Sequence, residues 1–152
     1  MQAIVAMSEN RAIGLNGGLP WPKNAADLKW FKSFTISKKI LVGYNTYKKL
    51  PILKDRTIYV LGKENSALAI CQIGTMFHMI KSIDQAPKDC IIAGGAKTYQ
   101  LFLPKITEFF VTKIKGNYEA DTFMPNFEHL FAKQEKWVIL EDGITEVWKY
   151  SK

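Results

Sequence analysis

Apolar and polar residues alternate with different periods along the 152 residues. Met1–Met7 is a short, almost unbroken apolar run, the pattern of a strand buried on both faces. Ile40–Gly43 repeats it, and Asp89–Ala93 does so again just before Gly94-Gly95. Thr75–Ile80 and Glu108–Ile114 read as further strands, and Arg56–Leu61 alternates and is β-rich. Trp137–Glu141 and Ile144–Tyr150 predict a hairpin turning at Asp142-Gly143. Helical stretches fall between: Ala25–Thr35, Asn45–Leu50 closed by Pro51, a short one at Ser82–Ala86, and Ala96–Leu103 stopped by Pro104. Ser8 to Asn24 is a long connection carrying Gly14, Gly17, Gly18, Pro20 and Pro22, and connections of that length are often functional lids. Strands alternating with helices predict a single α/β domain over residues 1–152, with a mostly parallel sheet and an antiparallel edge from the terminal hairpin.

One residue breaks the pattern. Wound at roughly 100° per residue, Asp27, Leu28, Phe31, Phe34 and Thr35 share an arc about 120° wide. Lys29, Lys32 and Ser33 lie on the other side. The Asp27 carboxylate therefore points with the apolar residues, where an acid is paired, protonated or in use. The alternative is an exposed first-turn acid that complements the helix dipole. Two strand–Gly–helix junctions, Val42-Gly43 and Ala93-Gly94-Gly95, place helix starts just past strand ends. Such junctions suit a phosphate, and they equally serve as tight turns.

Composition narrows the class. Hydrophobic content of 47% and charged content of 23% are those of a globular chain, not a disordered one. The net charge of +7 favours anionic ligands, yet the charges come singly or in pairs such as Lys38-Lys39 and Lys48-Lys49. A basic RNA-binding module would rest on charge alone, without an aromatic-bearing basic motif. Cys71 and Cys90 form no CxxC, and with His78 and His129 they make no zinc spacing. They read as reduced, core-packed thiols. Met1–Met7 is too short and uncharged for a signal peptide, and no apolar run approaches the ~20 residues of a membrane span. The expectation is a soluble cytoplasmic protein that binds neither membrane nor nucleic acid.

Several motifs coincide in order. Ile13-Gly14, then Leu19-Pro20-Trp21, then Asp27 with Phe31 four residues on, resemble the N-terminal signature of the dihydrofolate reductase family. Gly43-Tyr44-Asn45-Thr46-Tyr47 is similar to its Gly-Arg-x-Thr-aromatic segment, and Leu53-Lys54-Asp55-Arg56 to its Leu-Pro-Gly-Arg. Ala93-Gly94-Gly95-Ala96 with Tyr99 resembles its Gly-Gly turn and helix. Phe110-Val111-Thr112 and Ala120-Asp121-Thr122-Phe123-Met124-Pro125 resemble its late strand and Gly-Asp-Thr-x-Phe-Pro segment. The resemblance spans essentially the whole chain. It implies a central eight-stranded, mostly parallel sheet with a C-terminal antiparallel hairpin, flanked by about four helices. It implies NADPH-dependent reduction of 7,8-dihydrofolate to tetrahydrofolate, serving one-carbon and thymidylate metabolism. A monomer is expected, and so is binding of diaminopyrimidine or methotrexate-like antifolates.

The resemblance also implies roles for residues. Asp27 would hydrogen-bond the pterin amino and amide edge. Thr112 would hold Asp27, directly or through water, and Trp21 would bind an ordered water. Ile4, Val5, Ala6 and Ala93 would line the pterin, with Leu28, Phe31, Leu50 and Leu53 enclosing pterin and benzoyl rings. Arg56 would pair bidentately with the glutamate α-carboxylate. For the cofactor, Ala6, Ile13, Gly14, Thr46 and Gly94, Gly95, Ala96 and Lys97 would touch the nicotinamide and phosphates. Leu19, Gly43, Tyr44, Asn45, Leu61, Gly62, Lys63, Lys81, Thr98, Tyr99 and Thr122 would complete the cofactor site. Gly94-Gly95 would be joined by a cis peptide. Ser8–Lys23 would be a mobile lid.

The chain departs from the family pattern in places. Tyr44 stands where the family usually carries Arg, and Gly62-Lys63 replaces the usual Ser, which predicts weaker discrimination between NADPH and NADH. Ala93 replaces a larger Ile or Val, which predicts weaker diaminopyrimidine binding. The segment from Glu64 to Pro87 fits the pattern poorly. Two alternatives remain: a same-fold pyrimidine reductase of riboflavin synthesis, which Leu19-Pro20-Trp21, Asp27 and Arg56 disfavour, and a non-catalytic folate- or nucleotide-binding structural protein, which the Asp27–Thr112 pair disfavours.

Overall fold

The computed structural model describes residues 1–51, 53–62 and 75–152. Ten strands and three α-helices follow one another among them: β1 (Gln2–Ser8), β2 (Ala12–Gly14), α1 (Ala25–Thr35), β3 (Lys39–Gly43), α2 (Tyr44–Lys49), β4 (Arg56–Leu61), β5 (Thr75–Ile80), β6 (Ile91–Ile92), α3 (Ala96–Phe102), β7 (Glu108–Ile114), β8 (Thr122–Phe123), β9 (Lys133–Ile139) and β10 (Glu146–Ser151). Eight strands form one sheet in the order β5-β4-β3-β6-β1-β7-β10-β9. The pairs from β5 across to β7 are parallel, and β10 joins β7 and β9 antiparallel. This is the eight-stranded sheet with its terminal hairpin that the motifs imply.

The unbroken apolar runs have a simple cause. Successive strand residues point to opposite faces, and both faces here are covered. Ala3, Val5 and Met7 join one core cluster with Leu41, Ile92, Phe109 and α3 residues Tyr99 and Phe102. Ile4, Ile40, Val42, Ile58, Val60 and Ile91 build the cluster on the other face, against Phe31 and Phe34 of α1. Cys90 lies buried among the first cluster, where loss of solvation pushes its thiol up to about 11; Cys71 lies outside the described residues.

The α1 helix begins where Asn24 caps it, its side chain accepting from the Asp27 N–H at 3.0 Å. It ends as Ile36 turns extended and Ser37 takes φ 59°. The α2 helix starts one residue before the expected Asn45 and stops at Lys49, because Leu50 precedes Pro51 and is held extended. The helix expected over Ser82–Ala86 is a single 3-10 turn, Ile83–Gln85, with the Gln85 carboxamide oxygen accepting from the Lys81 and Ser82 N–H groups. The α3 helix yields at Leu103 to a 3-10 turn that takes in Pro104.

The strand expected over Asp89–Ala93 shrinks to Ile91–Ile92, and the reason positions the site. β6 pairs β1 only at Gln2↔Ile91 and Ala3↔Ile92. Beyond Ala3 and Ile92 the two strands part. On the β3 side the Ala93 N–H still reaches the Leu41 carbonyl (2.9 Å) and the Gly94 carbonyl accepts from the Gly43 N–H (2.8 Å). The sheet is therefore split between β1 and β6, toward the carboxyl ends of its parallel strands, where open α/β sheets bind ligands.

Candidate active site

A cavity of 1680 Å³ opens at that split. Its wall takes in Ile4, Val5 and Ala6 of β1, Asp27, Leu28 and Phe31 of α1, Leu50, Leu53, Arg56 and Ala93. The same wall includes Ile13, Gly14 and Leu19 of the β1–α1 connection, Gly43 through Thr46, Leu61, Gly62, Lys81, Gly94 through Tyr99, and Thr122. Two expected site residues, Trp21 and Thr112, are buried but stand off the wall. Lys63 lies outside the described residues. Leu28 departs from its arc: it is 42% exposed because its neighbours face open cavity rather than core.

Asp27 sits on the wall with only 8% of its surface exposed, which decides against an exposed helix-dipole partner. Burial raises its pKa above the ordinary carboxylate range, and the neighbouring Thr112 hydroxyl opposes the rise. Thr112 is brought there by β7, which runs in full register beside β1 with Thr112 opposite Ala6. Its buried hydroxyl faces the carboxylate without closing a hydrogen bond of ordinary geometry, and the buried indole N–H of Trp21 also lacks a protein partner. Tyr99 reaches across from α3, its hydroxyl donating to the Ile4 carbonyl at 2.6 Å. Burial and the Asp27 charge both push that hydroxyl's pKa upward, keeping it a donor.

Arg56 begins β4 and is 7% exposed. Its Nε donates to the Thr35 hydroxyl (2.9 Å), which donates in turn to the Phe31 carbonyl (2.7 Å). The guanidinium is thus aimed before any ligand arrives. Burial lowers its pKa, yet an arginine stays charged.

The glycine junctions leave no room for side chains. A Cβ on Gly43 would meet the Thr98 hydroxyl at 2.6 Å, and one on Gly95 would meet the Thr46 hydroxyl at 2.9 Å. The Gly94–Gly95 peptide is cis, as the resemblance implies.

Between β1 and α1 the connection is ordered by contacts that short-range pattern does not reveal. β2 pairs β8 in a two-stranded sheet. Leu15-Asn16-Gly17-Gly18 closes a tight turn with reciprocal Leu15–Gly18 backbone bonds and positive φ at Asn16 and Gly17, a geometry the Asn-Gly pair favours. Asp121 holds it from below: its N–H donates to the Gly14 carbonyl (3.0 Å) and its carboxylate accepts from the Asn16 N–H (2.9 Å). Arg11 anchors the base through Glu128 and the Met124 and Pro125 carbonyls. Trp21 lies edge-on to Tyr118 at 6.1 Å. At the tip, the Lys49 side chain comes within 2.8 Å of where a Gly17 Cβ would stand, so this turn rests on α2. Asn16-Gly17 was the readable signal for this turn; Arg11, Glu128 and Lys49 gave none.

A family model described as dihydrofolate reductase matches residues 1–145. The dihydrofolate reductase of Buchnera aphidicola subsp. Baizongia pistaciae is 33% identical over 134 residues, covering 84% of this chain and 78% of that protein. That of Staphylococcus haemolyticus is 30% identical over 147 residues, covering 94% of this chain and 85% of that protein. Among solved structures, dihydrofolate reductase from Enterococcus faecalis complexed with NADP(H) and RAB-propyl matches with a TM-score of 0.78 and 26% identity, over 99% of this chain and 94% of that one.

Proposed function

We propose that this chain, which belongs to the dihydrofolate reductase family, reduces 7,8-dihydrofolate to 5,6,7,8-tetrahydrofolate with NADPH. At the coarser level the chain is a hydride-transfer reductase of folate or pterin substrates. Asp27 carries the finer reading: a single carboxylate of raised pKa, buried on the wall of an apolar slot that ends at a fixed arginine.

Reducing the pterin C=N bond requires hydride at carbon and a proton at the adjacent nitrogen. Asp27 accepts hydrogen bonds from the amino and amide edge and places negative charge beside the ring, which favours the protonated, better hydride acceptor. Its burial and the cationic pterin pull its own pKa in opposite directions. Trp21 and Thr112 each offer a buried polar atom without a protein partner, the kind of group that an ordered water or a ligand satisfies. Ile4, Phe31, Leu50 and Leu53 exclude bulk water from the slot, and Arg56 takes the glutamate α-carboxylate.

The residues present also suit a dinucleotide. The 1680 Å³ cavity exceeds the ~300–1,000 Å³ of a site for one small molecule. Along its wall, glycines at 43 and 95 leave backbone open to a ligand where a Cβ would not fit. Bound there, a reduced nicotinamide supplies the hydride. Lys81 and Lys97 line the same cavity, while Tyr44 is engaged by the Tyr47 ring and the Lys48 ammonium. kcat/KM with NADH is therefore expected to approach that with NADPH in paired assays, and about a hundredfold preference for NADPH would overturn this.

Ala93 leaves one wall of the pterin slot short of bulk. Ala93→Ile is expected to tighten a diaminopyrimidine inhibitor about tenfold, the scale of a few methylenes in an apolar pocket. An unchanged inhibition constant would count against it. The reductase reading as a whole is tested by the fall in NADPH absorbance on adding dihydrofolate; no decrease with the wild-type chain removes it.

A further inference from the structure

β9 ends the eight-stranded sheet, and among the described residues no strand pairs with its outer edge. Such edges are commonly guarded by charged side chains and by bulges. The first half of β9 is guarded in that way by Lys133, Glu135 and Lys136, and Lys136 is paired with Glu146 at 2.9 Å. The ladder to β10 then shifts register and leaves Trp137 without an opposite residue. Beyond that point the guard stops. Trp137, Val138 and Ile139 on the strand, and Ile144 after the turn, are between 36% and 64% exposed. Ten large apolar residues are exposed among the described residues. Leu19, Leu28 and Leu101 line the cavity, and Met76, Phe123 and Leu130 lie on three separate elements. The remaining four fall within positions 137–144. Single exposed apolar residues are ordinary, whereas a contiguous strip marks an interaction surface.

The strip is held in place from within. The Trp137 ring meets Phe110 edge-on at 5.6 Å, and the Lys149 ammonium lies over it at 4.6 Å. Its flanks carry opposite charge. Before it stand Lys133 and Lys136 against one acid, Glu135; after it stand Glu141 and Asp142 with no base. Charge therefore runs from basic to acidic along the strip. Such a surface is complementary to itself when turned through a two-fold axis. With the axis near Trp137, the basic end of one copy lies on the acidic end of the other, and Lys133 faces Glu141 at both ends. Among the described residues Lys133 forms no ion pair, and Glu141 is held by the exposed Lys29 at 3.2 Å, a contact that is given up at little cost.

We propose that Trp137, Val138, Ile139 and Ile144 form the contact surface of a two-fold homodimer, with the outer edges of two β9 strands antiparallel. The register shift at Trp137 interrupts the flat edge, so the contact is side-chain packing and not a continued sheet. The surface is small beside the roughly 20–30 residues a side of a standard interface, so the dimer is weak, with Kd on the order of 10–100 µM. The monomer implied by the resemblance is then the state of dilute solution. None of these side chains lines the cavity, so the assembly stands apart from the reductase reading. Sedimentation equilibrium from about 1 µM to about 500 µM tests it, with the mass expected to rise from one chain toward two. In the I139K/I144K double variant each substitution is felt twice across the axis, and the chain is expected to stay monomeric throughout with unchanged far-ultraviolet dichroism. K133E and E141K are each expected to raise Kd about fivefold, since like charges then meet at both ends. An equimolar mixture of those two variants is expected to associate as tightly as wild type, because opposite charges meet again between unlike copies. A wild type that is monomeric at the highest concentration overturns the proposal. So does an I139K/I144K variant that associates as wild type does, a mixture that associates no more tightly than either variant alone, or a mass that grows past the dimer.

Discussion

Asp27→Asn is expected to lower kcat/KM for dihydrofolate by about 10²–10⁴-fold, the range that a positioned proton-handling group contributes. The amide keeps the volume and can still meet part of the pterin edge, so folate binding in the absence of turnover falls far less than the rate. What it loses is the negative charge that stabilises the protonated ring. Stability moves the other way. Burial holds the Asp27 pKa above its value in the unfolded chain. Ionising the folded protein therefore costs more than ionising the unfolded one. The wild type has its full stability below the unfolded value near ~3.9 and loses part of it as pH rises through the folded pKa. The variant carries no such loss. Its denaturation midpoint should exceed that of the wild type at pH 8 and converge with it in acid. A variant that retains turnover, or one that is less stable at pH 8 than at pH 4 relative to wild type, contradicts this account.

Arg56→Lys is expected to raise KM for dihydrofolate on the order of 10²-fold with little change in kcat, since truncating one partner of a buried, hydrogen-bonded charge pair costs a few kcal/mol. The arginine does two things at once: its Nε holds the Thr35 hydroxyl at 2.9 Å, which leaves the rest of the fork for a ligand. A lysine has one nitrogen, on a longer tether, and cannot hold Thr35 and chelate a carboxylate together. The hydroxyl of Thr35 keeps the Phe31 carbonyl as acceptor, so α1 should stay folded and far-ultraviolet dichroism should not change. On the proposed reading the loss belongs to binding alone, because the arginine would hold the glutamate and not the reacting ring. A KM within threefold of wild type, or a kcat that falls as far as KM rises, would place Arg56 in some other role.

Much of the site was readable because local rules and tertiary packing agree there. The Ala25–Thr35 span of α1 matches the helical stretch read from the chain, and the Asp27 anomaly follows from its apolar period. The parallel strands betray themselves as apolar runs because helices cover both faces. Where long-range contacts decide, the pattern is silent. β2 and β8 are three and two residues long and are joined across more than a hundred positions, with Asp121 and Arg11 holding them. The chain between Asp89 and Ala93 looks like a five-residue strand, yet the Cys90 N–H closes a turn on the Pro87 carbonyl and Ala93 already faces the cavity. Leu28 follows the helical arc yet is exposed, because periodicity reports which side a residue faces and not whether that side is filled. Trp21 and Thr112 came from the family motif, since a tryptophan in a loop and a threonine in a strand carry no marker of their own.

The parting of β1 from β6 gives ligand binding a part in folding. The β1–β6 ladder stops at Ala3 and Ile92, so Ile4 to Ala6 and Ala93 face the gap without pairing each other, the Ile4 carbonyl accepting from Tyr99 and the Ala93 N–H donating to Leu41 instead. On the proposed reading, a planar heterocycle with donors and acceptors along one edge would sit there much as a strand does and extend the contact between β1 and β6. The β5-β4-β3-β6 side and the β1-β7-β10-β9 side, already joined where Gln2 and Ala3 pair with Ile91 and Ile92, would gain a second link through the small molecule. Saturation at a hundred times the dissociation constant is worth about 2.7 kcal/mol to the fold. For this molecule that gain is the completion of its own architecture.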